Sequence, residues 1–283
     1  MKQAYLNINN SNIFYITHGA GEPVLFLHGI PTSSFLWRNI TPSLATKFKC
    51  IAPDLIGMGK SDKPDIEYSI REQVDYLTKF IETLNIKNIN LVVHGFGSII
   101  GLEYAKNNPA NVKSIVFYEA HLKPIKFEQL SLPLKQTAYK LKTMDNLEEL
   151  ILNSNFIVDL FLNSGTLNTL PKIIKNNYYD CYKTSADRKV LLGYISSILN
   201  INQKNEINNS IVNYSDYLIN SNTPKFLLYS SPGMLTTIEL IQWAKENLKN
   251  LTISNLGQGL HFAQETSPFA FADALLNWYR AKS

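Results

Sequence analysis

Val92-Val93-His94-Gly95-Phe96-Gly97-Ser98 closes an apolar run, Ile89 to Val93, and opens a segment of helical character that continues from Ser98 to Asn107. A strand that turns tightly into a helix is the setting in which small-x-nucleophile-x-small holds a reactive side chain at a strained backbone position. Here the register reads Val93-His94-Gly95-Phe96-Gly97, so Gly95 stands at the nucleophile position. The stretch therefore predicts the architecture of a covalent catalyst without its attacking group.

Working outward, short β-branched runs alternate with turn signals and helical periodicity. Tyr5 to Ile8 and Asn12 to Thr17 read as a hairpin broken at Asn9-Asn10-Ser11. Val24 to Leu27, Cys50 to Ala52 and Val112 to Tyr118 are further strands, and Lys225 to Tyr229 and Leu251 to Ser254 add two more. Val74, Leu77, Ile81 and Leu84 recur at helical spacing within a helix from Ile70 to Leu84, and Pro268 to Tyr279 reads as the closing helix. Strands alternating with helices predict a mostly parallel, eight-stranded α/β sheet covered on both faces. From Lys123 to about Ser221 the pattern is helical with Asn-rich loops and no convincing strand, and Asn202 to Asn209 reads as a flexible connector. The expected organisation is a core of residues 1–122 and 222–283 interrupted by a helical cap, 123–221. Ligands in such sheets bind beyond the carboxyl ends of the strands, under the cap.

Composition narrows the function classes. With 283 residues, 45% of them hydrophobic and 18% charged, the chain has ample material for a buried core. The net charge of +4 comes from scattered lysines, not from a basic stripe with interleaved aromatics, so no nucleic-acid partner is expected. Two cysteines, Cys50 and Cys181, suit a reducing cytoplasm better than a disulfide framework. No apolar run approaches the roughly 20 residues of a membrane span, and the first residues lack a signal-peptide pattern. The five histidines are dispersed without ligand spacing, so no metal or other cofactor is expected. Oligomeric state is left open.

Three stretches carry a resemblance: Leu27-His28-Gly29-Ile30-Pro31-Thr32-Ser33-Ser34, the run from Ala52 to Pro64, and Gly259-Leu260-His261-Phe262-Ala263-Gln264-Glu265. They resemble the haloalkane dehalogenase branch of the α/β-hydrolase superfamily, which also includes a coelenterazine luciferase. The resemblance implies an α/β-hydrolase fold. It also implies an Asp nucleophile, a His base oriented by a carboxylate, and an Asn and a Trp that hold the departing halide. The base maps to His261 and its orienting acid to Glu119, and both are present. The nucleophile maps to Gly95, the Trp to Phe96 and the Asn to Ile30. Without Asp there is no alkyl ester, and without the amide and indole donors there is no halide cradle.

What survives is proton chemistry. An imidazole titrating near neutrality accepts a proton, and a carboxylate partner fixes its tautomer. The superfamily's oxyanion hole needs only backbone N–H groups, here of Ile30 and Phe96. Gly95 admits two readings: a chain released from catalysis drifts to Gly because it takes positive φ without steric penalty, or the lost carboxylate leaves space beside His261 for one or two waters or a substrate group. Ser98 reads as the cap of its helix in preference to a replacement nucleophile. His94 is expected to point away from Gly95, His28 to pack beside the first loop, and Asp54 and Asp62 to be structural. His121 shares a face with Glu119 on an extended segment, and either enters the cavity or lies at the cap hinge. Phe156, Tyr178, Tyr179, Tyr182 and Leu260 are candidate pocket residues, with core packing as the competing reading for the aromatics. The expected activity is cofactor-free hydrolysis, elimination or cyclisation of a small, mostly apolar or carbonyl-bearing molecule. A catalytically silent ligand-binding protein, and an active-site variant of a dehalogenase, are the alternatives.

Overall fold

A computed structural model describes residues 1–199 and 206–282. Eight strands form one sheet: β1 (Lys2–Ile8), β2 (Ser11–His18), β3 (Glu22–Leu27), β4 (Phe48–Pro53), β5 (Ile89–Gly95), β6 (Val112–Ala120), β7 (Lys225–Pro232) and β8 (Leu251–Gly259), in the order β1-β2-β4-β3-β5-β6-β7-β8. Only β2 runs against its neighbours. The α-helices are α1 (Thr41–Leu44), α2 (Ile70–Thr83), α3 (Phe96–Asn107), α4 (Leu132–Lys142), α5 (Leu147–Asn153), α6 (Phe156–Ser164), α7 (Lys172–Tyr179), α8 (Lys189–Leu199), α9 (Glu206–Asn220), α10 (Ile238–Asn247), α11 (Ala263–Thr266) and α12 (Pro268–Arg280). Among the described residues, everything between β6 and β7 is helix or loop.

Local chemistry explains the elements that matter for the site. β5 is buried along its whole length, as a central parallel strand must be, and apart from Asn90 and His94 its residues are apolar or glycine. Asn9 and Asn10 both take positive φ, 51° and 62°, which lets a two-residue turn match the twist of the β1–β2 hairpin. Ser11 consequently pairs with Ile8 and belongs to β2. Helix α2 starts with a reciprocal capping box between Ser69 and Glu72.

Three boundaries differ from the sequence reading. β8 continues to Gly259, beyond the Ser254 end of the run read from sequence; its glycines and polar residues suit an edge position where one face meets solvent. Residues 206–209, expected to be part of a flexible connector, open helix α9, with the Glu206 carboxylate accepting the Ile70 and Arg71 N–H groups at 2.9 Å each. The remainder of that connector lies outside the described residues. Ser98 is not a cap: Gly95 occupies the N-cap position of α3, and Ser98 sits inside the first turn.

The order of strands reverses direction between β3 and β5, the switch point at which open α/β sheets leave a crevice. Close approach there depends on Gly97. A Cβ at this position would lie 2.3 Å from the His28 carbonyl oxygen, so any side chain would push α3 away from the loop after β3. Gly97→Ala is expected to lower the unfolding free energy by ~1–3 kcal/mol, measured by denaturant titration; an unchanged midpoint would show that the two segments are not in tight contact.

Candidate active site

The carboxyl ends of β3, β5, β6, β7 and β8 meet on one edge of the sheet, and each delivers one part of the site. At the end of β5, Gly95 adopts φ 51°, ψ −129°, a conformation that burdens any residue with a side chain. A Cβ built on Gly95 would lie 3.3 Å from His261 Nε2 and 3.4 Å from the Gly29 Cα. The direction a side chain would take at residue 95 is therefore straight toward the imidazole. The expectation of room for waters between Gly95 and His261 needs correcting, because the ring sits so close that even a methyl group would be tight. The open space is lined by His261, Ile30 and Phe96, and Gly95 itself does not line it.

Glu119 is brought to the same point by an irregularity in the sheet. His94 pairs with Tyr118 but Gly95 pairs with Ala120, leaving Glu119 as an extra residue with φ 46°. Its carboxylate is 0% exposed. It accepts N–H groups from three consecutive residues beyond β7: Met234 at 3.1 Å to either oxygen, Leu235 at 2.7 Å and Thr236 at 3.1 Å. His261 Nδ1 lies 3.1 Å from Oε2. Burial acts to raise the Glu119 pKa, but the hydrogen bond and charge of His261, with the Leu235 and Met234 N–H groups, outweigh it and hold the carboxyl below its ordinary value. An ionised Glu119 fixes the proton of His261 on Nδ1, so Nε2 presents its lone pair.

Two further histidines surround this pair. His94 is fully buried, its Nε2 lies 2.9 Å from the His261 carbonyl oxygen, and the two ring centroids are 4.4 Å apart. Burial, reinforced by the neighbouring His261, pushes its pKa well below the usual value, so it backs the His261 loop as a neutral ring. Alternation along β5 turns His94 away from the Gly95 Cβ direction but not away from His261. His121 lines the cavity beside His261. Burial and the proximity of His261, partly offset by Glu119, lower its pKa from the ordinary 6.5 to about 4.

Ser98 is wholly committed: its hydroxyl donates to the Gly95 carbonyl at 2.6 Å and accepts the His121 N–H at 2.9 Å. His28 is likewise structural, with Nε2 accepting the Leu55 N–H at 3.0 Å and Nδ1 3.0 Å from the Gly29 carbonyl. Asp54 holds the Ser34 and Lys60 N–H groups at 2.6 and 2.7 Å, and Asp62 accepts from Asn12 at 2.7 Å.

A cavity of ≈ 80 Å³ opens above these groups. Its wall includes Ile30, Phe96, His121, Met234, Leu235 and His261, and from the helical insertion Leu134, Thr137, Ala138, Leu141, Phe161 and Tyr194. Tyr194 packs edge-on against Phe96 with ring centroids 4.6 Å apart. Of the pocket residues expected from sequence, only His121 lines this cavity. Phe156 is half-buried on the outer side with Lys140 Nζ 5.7 Å from its ring. Tyr178 and Tyr179 donate their hydroxyls to Glu265 and Asp159, and Tyr182 is core. Leu260 contributes a carbonyl to the Tyr118 hydroxyl at 2.6 Å. The aromatics went to packing because each found a carboxylate or an apolar neighbour. A signal was available for part of the true wall: Leu134, Thr137, Ala138 and Leu141 follow i, i+3, i+4, i+7 along α4.

The model of the α/β hydrolase fold family matches residues 22–268. A haloalkane dehalogenase of Agrobacterium fabrum is 33% identical over 267 residues, covering 94% of this chain and 88% of that protein. The crystal structure of the haloalkane dehalogenase DatA from Agrobacterium tumefaciens C58 superposes with a TM-score of 0.91 at 31% identity, covering 100% of this chain and 97% of that one. The haloalkane dehalogenase DbeA from Bradyrhizobium elkani USDA94 gives 0.93 at 30% identity, with 99% and 98% covered. The chain belongs to the α/β-hydrolase superfamily, in its haloalkane dehalogenase-like branch. No helix of the described residues is long and apolar enough to cross a membrane.

His121 sets a pH dependence. The folded-state pKa of His121 lies below its unfolded value, so the unfolded chain takes up this proton first as pH falls. The corresponding stability is fully present above pH 6.5 and is lost on descent toward about 4. His121→Leu is expected to flatten the loss across that window by up to one proton's worth, ~1.4 kcal/mol per pH unit, in denaturant titrations at several pH values. Parallel curves for variant and wild type would refute a neutral, half-buried His121.

Proposed function

We propose that this protein is a cofactor-free enzyme in which His261, oriented by Glu119, acts as a general base on a small, mostly apolar molecule. The carrying observation is the line Glu119–His261–Gly95: Nδ1 is engaged by a buried carboxylate, while Nε2 faces the Gly95 position beside an apolar cavity. In this reading Gly95 stands where a covalent nucleophile would stand. No acyl or alkyl intermediate forms, and His261 takes a proton directly from water or from the ligand. The imidazolium so formed is stabilised by the Glu119 carboxylate. The N–H groups of Ile30 and of Phe96, at the positive end of α3, would stabilise negative charge developing on a ligand oxygen. The reactions that fit are hydrolysis without a covalent intermediate, elimination and cyclisation.

Halide displacement does not fit the same groups. It requires an attacking carboxylate and side-chain donors for the departing anion, and Gly95, Ile30 and Phe96 supply none. The helical insertion, taken as a cap of residues 123–221 on a core of 1–122 and 222–283, would set ligand size through α4, α6 and α8. Both cysteines are free and buried, which supports a cytoplasmic setting.

The test is turnover of a panel of small esters, epoxides and ketones by wild type and His261→Ala. The variant is expected to lose ~10²–10⁴-fold in kcat with its circular dichroism unchanged. Undiminished turnover would overturn the role of His261. Ligand binding without turnover by wild type would instead establish a silent binding protein.

Gly95→Asp is expected to leave haloalkane turnover undetectable by halide release, because the added Cβ crowds His261 and no halide donors are restored. Vigorous halide release by this single variant would identify a site one substitution away from dehalogenation.

A further inference from the structure

The cavity holds two imidazoles with different surroundings. His261 has its Nδ1 committed to Glu119 and offers a lone pair on Nε2. His121 has no comparable partner. Its main chain is pinned, the N–H by Ser98 at 2.9 Å and the carbonyl by the Tyr214 hydroxyl at 2.7 Å. Its Nε2 is shielded from solvent and finds no hydrogen bond among the described residues. A polar nitrogen shielded from water and left in this way is unfavourable. Packing alone does not account for a histidine here, since the surrounding wall is Ile30, Phe96, Met234, Leu235, Leu134 and Ala138.

We propose that His121 is the ligand-holding group of this cavity, donating a hydrogen bond from its imidazole to the carbonyl oxygen of a small ketone-like ligand whose apolar body fills the remaining space. The inference rests on the cavity beside His261 being the ligand site, and adds the chemistry of what it takes. Burial keeps the His121 ring neutral, so it carries one N–H. His261 already supplies an acceptor, and the complementary group for a carbonyl is a donor on the adjoining wall. Because the backbone of residue 121 is fixed on both sides, the ring adjusts by rotation about its side-chain bonds alone; a half-turn about χ2 exchanges the positions of Nε2 and Cε1. A neutral imidazole is an effective hydrogen-bond donor to a carbonyl. Thr137 and Tyr194 are the hydroxyl-bearing residues of the wall, and both come from the helical insertion.

The experiment uses the full chain labelled with ¹⁵N-histidine, titrated with cyclopentanone and, separately, with cyclopentane. Cyclopentanone is expected to shift a His121 ring nitrogen, and cyclopentane to leave it in place. His121→Leu is expected to weaken cyclopentanone about tenfold while the hydrocarbon binds as before, and His121→Gln to stay within about threefold of wild type. Turnover by wild type and His261→Ala reports on the base, whereas probe binding by His121→Leu and His121→Gln reports on the holding group, so the two failures are read separately. Equal weakening of both probes in His121→Leu, an unmoved His121 resonance, or binding of neither probe to wild type would each overturn the proposal. Should His121→Leu fail to fold, the wild-type spectra and His121→Gln decide it.

Discussion

An ionised carboxylate fully removed from water is the constraint around which the rest of the site is arranged. Glu119 is tolerated at the end of β6 because three successive N–H groups from the turn after β7 converge on it and His261 closes the remaining side. Each of these donors comes from a different part of the chain than the acceptor. The bulge that leaves Glu119 unpaired in the β5–β6 ladder, the path of residues 234–236, and the seat of His261 are therefore one problem with one solution. Removing the charge would leave three N–H donors facing an empty or mismatched acceptor, whereas removing His261 would leave the carboxylate still held by backbone.

Much of this was legible in the sequence because the fold writes itself in strong patterns. Eight apolar or alternating runs appeared as eight strands, and the strand–turn–helix at Val92 to Ser98 placed Gly95 correctly. Glu119 and His261 were identified through motif position, and the structure joins them by a hydrogen bond. The three N–H donors to Glu119 were invisible, since Met234, Leu235 and Thr236 act through main chain and carry no side-chain signature. The cavity wall was misread for a different reason. Tyr178, Tyr179 and Tyr182 offered the most conspicuous chemistry in the helical insertion, yet Glu265, Asp159 and the core absorbed them. The stripe on α4 looked like ordinary core packing, and a helix packing on a core and one lining a cavity have the same periodicity.

The arrangement separates backbone functions from side-chain functions. The strand order, the Gly97 contact and the turn at Gly95 locate the amides of Ile30 and Phe96 whatever their side chains are. Exchanging side chains at positions 30 and 96 alters the cavity wall while the scaffold keeps its shape. Ser98 reinforces that independence by tying the Gly95 carbonyl to the His121 amide from behind.

The burial of Glu119 also bears on the order in which the molecule assembles. Its backbone donors lie 115 to 117 residues further along the chain, and His261 lies 142 residues away. Until those segments arrive, withdrawing the carboxylate from water is unfavourable, so the end of β6 must stay hydrated while the strands behind it condense. Local structure such as the β1–β2 hairpin can form early, but the end of the sheet that holds Glu119 closes only when β7 and β8 dock. The feature that organises the finished site thus acts during folding as a checkpoint against premature collapse of the central strands.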